Sequence, residues 1–182
     1  MKLTTLIEDG NPMFREISLN CQQFLEESGG LPLIKWCPRT YTDVQRVKVR
    51  KRKQCSEFDT AFNEVFTSTY PSIRQRSIIV NDEHGSDSDQ FYVFPSDGYK
   101  LIYSPTITNS AQQYGSTFAD IKKSLTESTG TEIFQDVLKY GYTSGTMHEA
   151  ILDSSEIIVY NIPYFYVARC RIDYEKLLEF IV

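Results

Sequence analysis

The stretch from Ser77 to Pro105 constrains this chain more than any other. It reads Ser-Ile-Ile-Val, a polar acidic loop, then Phe-Tyr-Val-Phe-Pro-Ser-Asp-Gly-Tyr-Lys-Leu-Ile-Tyr-Ser-Pro. Three segments, Ser77–Val80, Phe91–Phe94 and Tyr99–Tyr103, are dense in β-branched and aromatic residues and bounded by turn formers, so each predicts a strand. Pro95-Ser96-Asp97-Gly98 is a tight-turn signal, because Pro presets φ and Gly reaches φ > 0 at little steric cost. The second and third strands are therefore expected to pair as an antiparallel hairpin turning at Ser96–Gly98. The rest of the chain reads as material packed on that sheet.

With 182 residues the chain suits one domain with a full core, expected to span 1–182. Aromatic content is 13%, with 12 Tyr and 11 Phe, enough rings to build either a core or a recognition surface. The net charge of −5 argues against wholesale coating of a nucleic acid. No apolar run reaches the length of a membrane span, so no membrane partner is expected. Glu8, Asp9 and Gly10 interrupt any secretory signal pattern. Cys21, Cys37, Cys55 and Cys170 are irregularly spaced, without zinc-binding spacing, and read as free thiols in a reducing compartment. No metal site is expected.

Asn11-Pro12 opens a helix whose apolar positions, Phe14, Ile17, Cys21, Phe24 and Leu25, run to the stop at Gly29-Gly30. Leu31–Trp36 reads as a short strand. Val44 to Lys53 reads as another, with Arg46, Lys48 and Arg50 on one wet face and further cations to Lys53. Such a face is a charged edge that resists edge-to-edge pairing or, alternatively, a phosphate contact. Ser56 begins a helix, with Asp59 as a capping-box partner and an apolar stripe of Phe58, Ala61, Phe62, Val65 and Phe66. Asn81 to Asp89 reads as an acidic loop. Helices follow around Phe118, Ile121 and Leu125, around Ile133, Val137 and Leu138, and over Met147–Leu152. Glu156–Tyr160 and Tyr164–Arg169 read as strands of a final hairpin around Ile162-Pro163, and Tyr174–Ile181 as a closing helix. The fold class is α+β, a central antiparallel or mixed sheet with flanking helices.

No phosphate-binding loop, nucleophile elbow or metalloprotease motif occurs. His84 and His148 carry no mark of a base. The paired acids Glu26/Glu27 and Asp87/Asp89 read as solvated. One trio is more suggestive: a cation on an early strand (Lys35, or Arg39 just beyond), Ser77 at the start of a middle strand, and Glu156 at the start of a late one. NAD-dependent ADP-ribosyl transfer needs these types: a cation for the pyrophosphate, a hydroxyl on the nicotinamide ribose side, and a carboxylate to stabilise an oxocarbenium-like state.

Several phrases in this order resemble a family of small tailed-phage proteins related to ADP-ribosyltransferases. They are Cys21 through Lys35, Val47–Lys53, Phe62–Phe66, Arg76–Val80, Tyr92–Pro105 and Ser154–Val159. The resemblance implies an ADP-ribosyltransferase-like fold, with NAD as a possible cofactor. It implies Glu156 and Ser77 as catalytic residues, and Lys35, Arg39, Tyr99 and Tyr103 against the cofactor. It also implies work in the host-cell cytoplasm on a host or phage protein. Two departures stand out. Lys35-Trp36 occupies the family's Arg-Gly position, replacing a bidentate fork by a point charge and a glycine by a large ring. Val80-Asn81-Asp82 replaces the Thr-Gly after the serine. The expected function is therefore a non-catalytic interaction protein, blocking a host defence or toxin. The alternatives are a divergent transferase modifying a host target, or a virion component. Nucleic acid is not an expected partner, although Arg46–Lys53 leaves it open.

Overall fold

The computed structural model describes residues 12–50, 57–68, 70, 72–80, 88–110, 135–136, 139–153, 156–171 and 173–181. Pro12–Asn20 forms α1 and Gln22–Glu27 forms α2. The single helix expected here is interrupted at Cys21, whose backbone leaves helical values at φ −127° and ψ 29°. The Asn20 side chain bonds back to the Glu16 carbonyl at 2.7 Å, a local competitor of the helical ladder. Strands β1 (Ile34–Pro38) and β2 (Val44–Lys48) follow, then α3 (Glu57–Val65) and a 3-10 turn over Ile73–Gln75. Next come β3 (Ile78–Val80), β4 (Ser88–Pro95), β5 (Lys100–Ser104), α4 (Met147–Asp153), β6 (Glu156–Tyr160), β7 (Tyr164–Arg169) and α5 (Tyr174–Ile181). Ser56 and the helix expected around Phe118 lie outside the described residues; of the one expected around Ile133, Val137 and Leu138, residues 135–136 and 139–141 are described and are helical.

The strands form two antiparallel sheets, in the orders β1-β4-β7-β2 and β3-β6-β5. The fold is α+β, as expected, but the single central sheet is replaced by these two. Both expected hairpins are corrected with it. β4 pairs with β1 and β7, while β5 pairs with β6, so Phe91–Phe94 does not face Tyr99–Tyr103. Likewise β6 lies in the three-stranded sheet and β7 in the four-stranded one. The physical reason is tertiary: β6 pairs with β3 and β5 and is buried on both faces, so the corners lead away from the neighbouring strand. Gly98 (φ 82°) and Asn161 (φ 64°) are left-handed, and each turn redirects the chain to the other sheet instead of returning it along its neighbour. β4 also begins earlier than expected, at Ser88. Ser88 and Asp89 pair with Pro38 and Cys37, and the Asp89 carboxylate is held by Arg39 at 3.3 Å and by Arg169.

Alternation sorts the side chains of the three-stranded sheet to its two faces. Ile78, Val80, Leu101, Tyr103, Ile157 and Val159 join a core with Phe91, Val93, Phe165 and Val167 of the other sheet. The opposite parity, Ile79, Ile102, Ile158 and Tyr160, packs on Phe58, Phe62 and Phe66 of the α3 segment. Every residue of β6 is buried. A strand covered on both faces reads as a continuous apolar run, as Ile-Ile-Val-Tyr does. On the other sheet, Tyr92 and Phe94 pack against Tyr174 of α5, and Phe94 meets Phe24 of α2 edge-on.

The basic strand is an edge. β2 ends its sheet, with Arg46, Lys48 and Arg50 exposed. Arg46 lies over the Tyr164 ring at 5.4 Å and 3.7 Å from the Glu16 carboxylate. No described helix is long and apolar enough to cross a membrane.

Candidate functional site

Glu156 opens β6 opposite Ser104 of β5 and is 1% exposed. Its Oε1 accepts the Tyr142 hydroxyl and lies 3.8 Å from the Arg74 guanidinium; its Oε2 accepts the Ser110 amide at 2.8 Å. Arg74 is itself 4% exposed. Its amide donates to Asn63 Oδ1 at 2.9 Å, and its guanidinium bonds Asp59 at 3.3 Å and Ser110 Oγ at 2.9 Å. The rings of Phe58 and Phe62 lie 5.2 and 5.1 Å from that guanidinium. Tyr142 stands edge-on to Phe62 and Phe66. Burial, and then the Glu156 charge, push the Tyr142 hydroxyl far above the usual phenol range, so it stays a donor. The arrangement is a closed knot. A buried carboxylate and a buried guanidinium satisfy one another through three further groups, and neither Glu156 oxygen faces solvent.

The other expected catalytic and binding residues are not gathered around Glu156. Ser77 precedes β3, and β3 runs antiparallel to β6 with Ile78 opposite Val159 and Val80 opposite Ile157. Ser77 therefore lies near Tyr160, about 13 Å along the strands from Glu156 at the usual rise per residue. It is buried, with no hydrogen-bond partner for its Oγ. Lys35 sits opposite Phe91 in β1, and its Nζ donates to the Ile79 carbonyl of β3 at 2.5 Å. That bond ties the edges of the two sheets together. Arg39, exposed beyond β1, pairs with Asp89. The trio of Lys35, Ser77 and Glu156 does not converge on one cleft, and the expectation that Glu156 projects from a strand end into a cleft is not met.

The two tyrosines fare differently. Tyr99 lines a groove of about 300 Å³ with Gln23, Glu27, Lys100, Leu101, Ser144, Gly145, Thr146 and Tyr160. Its hydroxyl donates to Glu27 Oε2 at 2.6 Å. Burial and the Glu27 bond push that hydroxyl strongly upward. Tyr103 stands beside the groove, where a Cβ on Gly145 would come within 3.2 Å of its ring. No cluster able to hold a metal occurs among the described residues.

The sequence did not point to Arg74, Ser110, Tyr142 or Asp59 as partners of Glu156. No spacing connects them, and their local phrases, such as Ser-Ile-Arg-Gln-Arg around Arg74 or Thr-Asn-Ser at Ser110, do not set them apart. No protein-family model, no curated protein and no solved structure matches this chain. Fold and site therefore define it only as a class: an α+β protein of two antiparallel sheets, with a closed polar knot under one sheet and an open groove at its edge.

Proposed function

We propose that this chain is a non-catalytic interaction protein on an ADP-ribosyltransferase-like fold. It is phage-encoded and works in the host cytoplasm by contacting a host or phage protein, such as a defence factor or a toxin. The phage origin, the fold family and the kind of target rest on the sequence phrases alone. The non-catalytic part is carried by the engagement of Glu156. A transferase needs that carboxylate at the cofactor ribose, where it stabilises positive charge in the transition state. Here Tyr142, Ser110 and Arg74 occupy it in a buried position. The distance to Ser77, and the use of Lys35 at a strand edge, point the same way.

The test is calorimetric titration of NAD into the unmodified protein, with a transfer assay on host lysate using labelled NAD. Neither heat of binding nor labelled product is expected. Tight NAD binding, with transfer abolished by Glu156→Gln in a variant that stays folded, would overturn the proposal in favour of a divergent transferase.

A further inference from the structure

Among the described residues β5 ends the three-stranded sheet, and its outer edge is only partly closed. At one end the Tyr103 amide donates to the Thr143 carbonyl and the Thr143 amide to the Tyr103 carbonyl, both at 2.9 Å. At the other end Gln23 clamps the corner, its Oε1 accepting the Gly98 amide at 2.9 Å and its Nε2 donating to the Tyr99 carbonyl at 3.4 Å. Backbone groups along an antiparallel edge alternate in direction. Since both Tyr103 groups point outward, so do the N–H and C=O of Leu101, midway between the two closures. Extending the Tyr103–Thr143 register would place Gly145 opposite Leu101. Gly145 makes no such bond, because the chain turns there into α4. Thr146 donates to Glu149 Oε2 at 2.8 Å, and the Glu149 amide donates to Thr146 Oγ1 at 3.3 Å. This reciprocal cap draws residues 144–146 off the ladder and leaves the groove between them and Leu101.

The charge around the opening is mainly negative. Glu27 lines it, Glu149 flanks Gly145, and Asp97 is fixed by the Gln23 amide at 2.9 Å, with Lys100 as the opposing cation. By contrast, the β2 edge is blunted by Arg46 and Lys48.

We infer that the groove receives an extended, lysine- or arginine-bearing segment of a partner protein, which pairs with the Leu101 backbone and sets its cations among Glu27, Asp97 and Glu149. Main-chain bonds supply the attachment and the acidic rim selects the charge of the segment. The inference rests on reading the chain as an interaction protein and names the surface it uses.

The test uses the full chain and a short acetylated, amidated peptide of alternating valine and lysine. Its controls are a glutamate counterpart and a lysine version methylated on alternate backbone amides. In the free protein the Leu101 amide should exchange with solvent faster than those of Ile102 and Tyr103. The lysine peptide should slow that exchange by roughly tenfold or more. Neither control should do so, and Glu27→Gln should weaken the effect. Equal binding by the methylated peptide, chemical-shift changes confined to β2, or a Leu101 amide already protected in the free protein would each overturn the inference. Those results would leave the interaction reading standing, because the NAD titration decides that reading separately.

Discussion

The Asn161 side chain donates to the Gly98 carbonyl at 2.8 Å, joining the two corners at which the chain passes between its sheets. Both residues have positive φ, 82° at Gly98 and 64° at Asn161. One corner leads from β4 to β5 and the other from β6 to β7, so this contact fixes the crossover of both strand pairs. The neighbouring Ser96 amide donates to the Tyr164 carbonyl at 3.4 Å and reinforces it.

The first prediction concerns these corners. A Cβ on Gly98 meets nothing within 4 Å, so the cost of Gly98→Ala is purely conformational. It should destabilise the fold by about 1 kcal/mol, and Gly98→Val by more. Asn161→Ala, which loses both the side-chain bond and tolerance of the left-handed region, should also cost about 1 kcal/mol or more. Asn161→Gly loses only the bond and should cost about 0.5 kcal/mol. Urea unfolding of the four variants checks the order, and an unchanged midpoint for Gly98→Val would refute it.

The Glu156 knot gives a second. Glu156→Gln leaves the Arg74 guanidinium buried with one carboxylate partner fewer, and should cost about 3 kcal/mol of stability. Arg74→Ala should be similarly damaging, because it strands Glu156. The measurement is the unfolding free energy, compared with that of Arg39→Ala, whose exposed pair with Asp89 should contribute well under about 1 kcal/mol. A Glu156→Gln protein as stable as the parent would mean that the knot is not structural.

Alkaline pH supplies a third. Burial raises the hydroxyls of Tyr99, Tyr142, Tyr166 and Tyr174 most, and those of Tyr41, Tyr92, Tyr103 and Tyr160 as well. A group whose folded pKa lies above its unfolded value stabilises fully below the unfolded value and less as pH rises through the folded one. The tyrosines should therefore contribute fully up to their ordinary value of 10.0 and progressively less above it. The thiols of Cys21 and Cys170, both raised from 9.0 by burial and that of Cys170 to about 11, start the loss earlier, near pH 9.0. Phenolate absorbance should rise late and together with loss of circular dichroism. A simple, non-cooperative titration at the ordinary value would contradict it.

The basic edge supplies a fourth. Arg46 is engaged by Glu16 and Tyr164, and the charge elsewhere is acidic, so the protein should not shift a nucleic-acid probe at physiological salt. A submicromolar complex under those conditions would show that the edge is a phosphate contact.

What the sequence determined by itself was local. Alternating β-branched and aromatic phrases placed β3, β5, β6 and β7 within a residue or so, and apolar spacing placed α3 and α5. Composition and element order made the chain α+β, and Val44–Lys53 read as a charged edge strand because Arg46, Lys48 and Arg50 share one parity; the strand itself runs Val44–Lys48. The tertiary structure decided which strands pair. Pro95–Gly98 and Asn161–Pro163 look like hairpin turns in one dimension, because positive φ and proline mark a change of direction without stating where the chain goes next. That depends on which sheet can bury both faces of β6. The environment of Glu156 was equally invisible: a carboxylate beginning an apolar strand reads the same whether it meets solvent or Arg74, Ser110 and Tyr142. The burial and partners of a side chain depend on residues distant in sequence, and no local pattern encodes them.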